Sequence, residues 1–521
     1  FLRALAAAGA GGAVASALGP ARGSGAAPLD PAAMFPDGLK AGDPLPDGAV
    51  LWTRVAPPAD PTRPVTVLWL VSEDPDVRRI VTGGILATRA RNGFTVKVRA
   101  KGLAPDRWYY YRFLVRGVAS RVGRLRTAPR ADAAPDLVRY GFASCQQRGI
   151  RGVDGRESLY VTHRAIAEDD LDFLIHLGDY VYVSDTGTQT VENYREVYQR
   201  FHSNPLLQDL QATVPLVAVW DDGEFYNGVD RTGPPQRLAN ARQAWFEMMP
   251  VARNSVDRIH RRFRWGRLAD FLLLDTRMFR DPEIPPNTFF GPLEAQDSRL
   301  PPCDQMFAPG RTTLGVDQKA WLEQELVRSR SAWRVIGSSY NVCPWKFVDY
   351  DTPAARAADP NLPRNAGVYA SNEAWDDYGH ERAELLQFLL DSGVDNVVFN
   401  SGHTHFYLAS ELMPDYDDPA SPVAGFDFVT GSQTADPDPR TLADESLLRA
   451  AAAVMVGENQ PYMKDVNLLD QGYVRVELTP EECLVSFRFV DTFDPAAQAR
   501  TGIRFRIVNG SRSIEVLPGD A

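Results

Sequence analysis

Four apolar segments of this chain each break off at a residue able to ligate a metal, and that recurrence limits the available folds more than any other feature. "LVRYGFASCQ" runs into Cys145, "LDFLIHLGDYVYV" carries Asp179 and Tyr182, "VPLVAVWDDGE" turns from Trp220 into Asp221, Asp222 and Glu224, and "VDNVVFNSGHTH" ends in His403 and His405. Near-continuous apolar strands are expected where a sheet is covered on both faces, as parallel sheets are. Helical patterns such as "ESLYVTHRAIAEDD", "KAWLEQELVRSR" and "RAELLQFLLDSG" stand between or just before such strands, which predicts an α/β fold. Open α/β sheets place their sites beyond the C-terminal ends of the strands, so the four ends can meet at one point. Each signal is weak alone. A lone Tyr182 is core packing and a lone Cys145 a small buried hydrophobe; their joint occurrence at successive strand ends is what carries the argument.

The segments before these strands have a different period. "GAVLWTRVAP", "VTVLWLVSED", "FTVKVRA", "RWYYYRFLVRG" and "SRVGRLRTAP" alternate every second residue and are broken by Pro, Gly and Asp turns. They predict a small β-sandwich of fibronectin or immunoglobulin type over residues 32–128. A Pro/Ala/Asp-rich linker at 129–136 joins it to a catalytic domain at 137–495, and a β tail at 496–521 packs on that domain. Residues 1–31 open with an Ala/Gly-rich, mildly apolar run of export-signal character. With 521 residues there is room for these parts, and a net charge of −11 leaves no basic excess for general nucleic-acid binding. No later run of eighteen uncharged apolar residues predicts a transmembrane span.

In combination, "GDYVY", "WDDGE" and "GHTH" resemble the motif series of the calcineurin-like metallophosphoesterases, and more closely that of the PhoD-type alkaline phosphatases. "FPDGLKAGDPLPDGAVLWTRVAP", "FASCQQ", "HLGDYVY" and the "LDTR" strand extend the likeness over residues 35–495. The resemblance implies a four-layer α/β/β/α domain hydrolysing phosphomonoesters or phosphodiesters with a metal-activated water. It implies that Cys145, Asp179, Tyr182 and His405 hold Fe(III), that Asp179 bridges to a second ion, and that Asp222 and His403 hold that ion. Thiolate, phenolate, carboxylate and imidazole are a donor set suited to such a site. The opening "FLRALAAAGAGG" resembles the stretch after the arginine pair of twin-arginine signals, so export through that machinery to a periplasm or the medium is expected.

Two positions depart from the family pattern. His403 stands where the family has an Asp that serves calcium; an imidazole there favours Zn, Mn or Fe(II), with calcium retained as the family's ion. Gly223 stands where the family has a histidine thought to bind phosphate and assist the leaving group. General acid assistance contributes about 10²–10⁴-fold. Its loss leaves open an enzyme adapted to acidic leaving groups, such as a phosphodiesterase, phosphotriesterase or phospholipase D-like variant, or a non-catalytic phosphate-ester binder. His202, His260 and His380 are the remaining candidates for the missing acid, and His176 reads as a core histidine. Asp222 is the expected ligand, with Asp221 and Glu224 orienting it. Asn227 and Arg277 are candidates for contacting phosphate, and an ion pair of Arg277 with Asp275 is the alternative. Of four cysteines, Cys303 and Cys343 could pair in an exported protein.

Overall fold

The computed structural model describes residues 30–520 apart from 148–157, 253–257, 285–302, 350–351, 362–364, 366, 370–373, 436–443 and 458–459. The signal-like segment before Asp30 and the side chain of Cys303 therefore lie outside the described residues.

The N-terminal part runs as short strands: β1 (Leu39–Leu45), β2 (Gly48–Arg54), β3 (Val65–Ser72), β4 (Ile80–Thr88), β5 (Thr95–Lys101), β6 (Trp108–Val115), β7 (Val118–Ala119) and β8 (Gly123–Arg126). Strands and helices then alternate through β9 (Val138–Ala143), α1 (Val161–Glu168), β10 (Phe173–His176), α2 (Val191–His202), α3 (Pro205–Thr213), β11 (Leu216–Ala218), α4 (Pro235–Met248), β12 (Arg261–Trp265) and β13 (Ala269–Leu273). Next come α5 (Gly315–Arg328), β14 (Trp333–Tyr340), the small β15 (Lys346–Asp349) and β16 (Gly367–Tyr369) pair, α6 (Gly379–Asp391), β17 (Val397–Gly402), β18 (Tyr407–Leu412) and β19 (Gly425–Val429). The chain closes with β20 (Met463–Asn467), β21 (Gln471–Leu478), β22 (Glu482–Val490), β23 (Arg500–Val508) and β24 (Glu515–Pro518). Local chemistry sets several boundaries. Helix α3, which delivers the chain to β11, starts where the Asn204 side chain accepts the N–H groups of Leu206 and Leu207 ahead of Pro205, a favoured pairing of N-cap and first-turn proline.

Two sheets face each other. One holds ten strands in the order β24-β23-β22-β21-β9-β10-β11-β1-β2-β5, and the other seven in the order β12-β13-β14-β17-β19-β18-β20. The second sheet shows why its strands are apolar throughout. Phe271 and Leu273 point into the core shared with the first sheet, while Leu272 and Leu274 point to the core under α5 and α6; Val398 and its neighbours Val397 and Phe399 divide in the same way. That is the period of two with both faces covered. Between the sheets, Tyr140 and Phe173 stack at 5.5 Å and meet the edge of Phe271, each at 5.2 Å. Helices α1 to α4 cover the outer face of the first sheet, completing the expected α/β/β/α layering.

The N-terminal sandwich is built differently from a free-standing module. Its own five-stranded sheet, β4-β3-β6-β7 with β8 on β6, packs through Val67, Val71, Tyr111 and Phe113 onto Leu39, Ala41, Leu51 and Val96. Those last residues belong to β1, β2 and β5, which are at the same time the end of the ten-stranded sheet. The junction is the parallel pairing of β1 with β11, Gly42 opposite Leu216. A Cβ on Gly42 would lie 2.4 Å from the Pro250 carbonyl oxygen and 2.6 Å from that of Leu216, so the two strands can meet there only at a glycine. At the opposite edge, β23 and β24 extend the sheet beyond β22.

The parallel strands β9, β10 and β11 of one sheet and β13, β14, β17 and β19 of the other bring their C-terminal ends to one rim. A bridge between Ser144 and Ser432 ties the two sheets together at that rim.

Candidate metal centre

Cys145, Asp179, His403 and His405 follow β9, β10 and β17, and all four have left-handed backbone, with φ of 59°, 55°, 71° and 63°. Side chains other than glycine avoid this region, and residues held there cluster at functional sites. Here the conformation turns each side chain off its strand end toward a common point. Two groups of donors result: Cys145, Asp179 and His405, and Asp179, Asp221, Asp222 and His403, the donor atoms of each group lying within 4.8 Å of one another. Asp179 belongs to both.

In the first group the Cys145 Sγ is 3.5 Å from Asp179 Oδ2 and 3.0 Å from Ser144 Oγ. The Tyr182 hydroxyl donates to Asp179 Oδ2 at 3.0 Å and lies 3.0 Å from His405 Nε2. In the second group His403 Nδ1 is 2.8 Å from Asp221 Oδ2, 3.8 Å from Asp222 Oδ1 and 3.9 Å from Asp179 Oδ2. The Asp222 Oδ2 accepts the Gly228 N–H at 2.8 Å, which leaves Oδ1 toward the cluster.

The electrostatics are those of a cation site. Burial, and then the charges of Asp221 and Asp222, push the Asp179 carboxyl well above the usual carboxylate range. Burial and the nearby Asp179 likewise raise the Cys145 thiol and the Tyr182 phenol. Burial would raise Asp221 too, but Arg277 and His403 overrule it and hold the group at about 2. So much acidic and soft-donor character in a buried rim, around one shared carboxylate, fits a pair of metal ions: a bound cation removes the repulsion that these groups otherwise impose on one another.

Several expected partners fall elsewhere. Arg277 pairs with Asp221, to which its Nε and Nη2 both donate, the latter at 3.1 Å, and its Nη2 is 3.2 Å from His403 Nδ1. Asp275 is occupied by Trp220 Nε1 at 2.9 Å and by the backbone N–H groups of Arg277 and Met278, so the Arg277–Asp275 alternative does not form. Glu224 does not orient the Asp222 carboxylate. It is 1% exposed, and its two oxygens accept the backbone N–H groups of Asp179 at 3.0 Å, Tyr180 at 2.7 Å and Asp221 at 2.8 Å. It therefore clamps two strand ends together rather than facing a substrate. Asn227 is exposed, and its backbone N–H is held by Asp185 Oδ1 at 3.0 Å.

Gly223 has no space for a side chain in this arrangement. Its N–H donates to Asp179 Oδ1 at 2.9 Å, and a Cβ would lie 2.6 Å from that oxygen and 2.8 Å from the Val181 carbonyl. None of the three candidate replacement histidines is at the rim: His202 lies against Lys40, His260 packs on Phe279 and Trp321, and His380 pairs with Glu384. His176 is a core residue bonded to Gln433 at 3.2 Å. Cys343 is a free thiol, fully buried beside Asp427; the side chain of Cys303, its expected partner, lies outside the described residues. Sequence reasoning missed the Glu224 clamp, for which the only local signal was a third carboxylate after Trp220.

Comparison with known proteins agrees with this arrangement. Residues 140–487 match the family model described as PhoD-like phosphatase, and residues 23–129 match the N-terminal domain of PhoD-like phosphatases. The chain is 31% identical over 516 residues to the alkaline phosphatase D of Bacillus subtilis, covering 92% of this chain and 82% of that one. The solved structure of PhoD superposes with a TM-score of 0.80 at 29% identity, covering 95% of this chain and 94% of that one. A purple acid phosphatase from yellow lupin seeds shares the fold, with a TM-score of 0.53 at 13% identity over 91% of this chain and 75% of that one. With its motifs, its two-sheet rim of metal donors and its N-terminal module accounted for together, the chain belongs to the PhoD-like phosphatase family.

Proposed function

We propose that the chain, a phosphoesterase hydrolase by family, cleaves phosphomonoesters or phosphodiesters at the paired donor groups. Cys145, Asp179, Tyr182 and His405 would hold Fe(III), and Asp179, Asp222 and His403 would hold a divalent ion, with Zn, Mn or Fe(II) favoured over calcium by the imidazole of His403. The observation that carries this is the membership of Asp179 in both groups, since one shared carboxylate is a common way to set two metals close together. Bound there, the two ions would neutralise charge on the phosphoryl oxygens and acidify a water for attack.

The chain's own residues divide the remaining work. Asp221 fixes the Arg277 guanidinium with a two-point contact, so a positive charge stands ready at the His403 side of the cluster. Glu224 holds the backbone of Asp179 and Asp221, and with it the direction in which both carboxylates point. The Gly228 N–H fixes one oxygen of Asp222. At Gly223 the chain offers neither a hydrogen-bond donor side chain nor a proton for the departing group. This favours a second, narrower reading: esters with acidic leaving groups, aryl phosphates and activated diesters or triesters, turn over best.

Asp179→Asn should abolish both metal binding and hydrolysis of chromogenic phosphate esters. Full activity in that variant would end the assignment. Elemental analysis of natively produced protein, with no metal added, should give iron with zinc, manganese or more iron; calcium in the second position would overturn the role given to His403. Export belongs to the same proposal and rests on the segment that precedes the described residues. Among those described, no helix is long and apolar enough to cross a membrane. Fusion of residues 1–31 to a reporter, behind an arginine pair, should carry it out of the cytoplasm, and a reporter that stays inside would remove that part.

A further inference from the structure

Lys40 is out of place for a core strand. It lies in β1 of the N-terminal module, between Leu39 and Ala41, and is 0% exposed. Leu39 and Ala41 face the module's own core; by the strand's period of two, Lys40 faces the other way, into the catalytic half. Its cross-strand partner Trp52 does the same and belongs to the catalytic core. The Lys40 amine donates to the Met248 carbonyl at 2.8 Å and lies 2.7 Å from His202 Nε2. It sits 4.1 Å from the centre of the Trp52 ring and 5.5 Å from that of Tyr180.

No carboxylate touches this ammonium directly. When Lys40 carries its proton it has no lone pair to offer, and His202 then accepts through Nε2 and carries its hydrogen on Nδ1. That nitrogen is 3.7 Å from Asp37 Oδ2, and Asp37 is itself held by Arg54 through two contacts of 2.7 Å. Burial drives Lys40 well below the usual lysine range, opposed by Asp37, and burial drives His202 down to about 4. Burying an amine with no carboxylate against it is costly. Fold stability is therefore a poor explanation for its presence.

What the lysine does reach is the residue after Asp179. Tyr180 is 1% exposed and fixed on every side: its N–H by Glu224, its carbonyl by Gln146 Nε2 at 2.7 Å, its hydroxyl by Gln211, and its ring by His176 at 4.9 Å, His202 at 5.8 Å and the Lys40 charge. Asp179 occupies left-handed backbone, a conformation that non-glycine residues avoid and that persists only where its surroundings hold it. We propose that Lys40, with His202 behind it, is a positioning residue of the catalytic centre, by which the N-terminal module holds Tyr180 and so keeps Asp179 in the conformation that lets it serve both donor groups.

This inference rests on the metal-centre reading above, and its test separates the two. In Lys40→Met, hydrogen exchange of the backbone amides of residues 177–183, measured on metal-free protein, should speed up at least tenfold relative to wild type, more than any change in melting temperature accounts for. Iron affinity should fall by about 10–100-fold, the usual effect of losing a group that orients a ligand, and the phenolate-to-iron absorption of Tyr182 should shift. His202→Gln, which still offers an acceptor to Lys40, should stay close to wild type in both readouts. If Lys40→Met does not fold, Lys40→Gln, which keeps a hydrogen-bond donor but not the charge over the rings, takes its place with the same expectations. Unchanged exchange and unchanged iron affinity, or a lower melting temperature as the sole effect, would overturn the positioning role. Wild-type protein without iron would overturn the metal reading instead, and the exchange measurement would still decide the role of Lys40.

Discussion

Replacing Glu224 by leucine would leave three backbone N–H groups, those of Asp179, Tyr180 and Asp221, buried without the acceptor that now serves all of them. Each unsatisfied buried donor costs about 1–3 kcal/mol, and part of the sum returns because a carboxylate is no longer buried. The net destabilisation should be about 3–6 kcal/mol, a value at the diagnostic end of single substitutions. Glu224→Gln separates the contributions. Oε2 accepts two of the N–H groups and Oε1 the third, so a glutamine with its oxygen in the Oε2 position keeps Asp179 and Asp221 and turns an amide N–H₂ against Tyr180. One lost bond and one donor-to-donor contact should cost about 1–3 kcal/mol. Urea unfolding of metal-free protein, with the slope unchanged and the midpoint moved, is the assay. Metal content measured alongside should fall in the same order, leucine below glutamine below wild type. A leucine variant within 1 kcal/mol of wild type that also retained its metals would refute the clamp, because no second acceptor for these groups exists among the described residues within the bonds observed.

Gly223→His, the obvious way to restore the family's pattern, should lower metal content and activity, since its Cβ would press on Asp179 Oδ1 and the Val181 carbonyl at 2.6 and 2.8 Å; a gain in monoesterase turnover would show that the loop has room the geometry denies. The third prediction concerns acid. Burial holds His163 at about 4 in the folded chain against about 6.5 when unfolded. The unfolded chain therefore takes up this proton first, and the stability linked to His163 is whole above pH 6.5 and is lost as pH falls toward 4. At pH 5 the loss is about 2 kcal/mol at about 1.4 kcal/mol per unit. His163→Gln should lose about that much less than wild type between pH 7 and pH 5 in urea melts, and parallel losses in the two proteins would refute it.

What could be read from the sequence was local. An apolar run that stops at Asp, Cys or His announces a strand and its end in a few residues, so Cys145, Asp179, Tyr182, Asp222, His403 and His405 could be named with their strands. The alternation of "GAVLWTRVAP" and "VTVLWLVSED" likewise belongs to the segments themselves. What stayed hidden depends on pairs far apart in the chain. Arg277 had Asp275 two residues away as the visible partner, yet Asp275 is consumed by Trp220, and the guanidinium reaches back to Asp221. Glu224 looked like a neighbour of Asp222 because sequence shows adjacency and not the direction of a side chain. The left-handed turns at Cys145, His403 and His405 carry no signature in residue type, since tertiary contacts impose them. Nor could the period-2 pattern tell that β1, β2 and β5 would finish a sheet whose adjoining strand, β11, comes more than a hundred residues later.

That shared sheet bears on how the chain can be made at all. Strand β1 leaves the ribosome early and waits for β11, while β9 waits for β21 near the far end. Pairings of such long separation are slow to form, because loop-closure entropy is lost before contacts compensate it. Until β11 arrives, the edge of β1 is a row of unpaired backbone groups, an invitation to strand exchange with another copy. A truncation at the Pro/Ala/Asp linker would make that interval permanent by depriving β1 of β11. The N-terminal module and the catalytic half thus complete one sheet between them, and expression of the whole chain should yield more native protein than expression of either half.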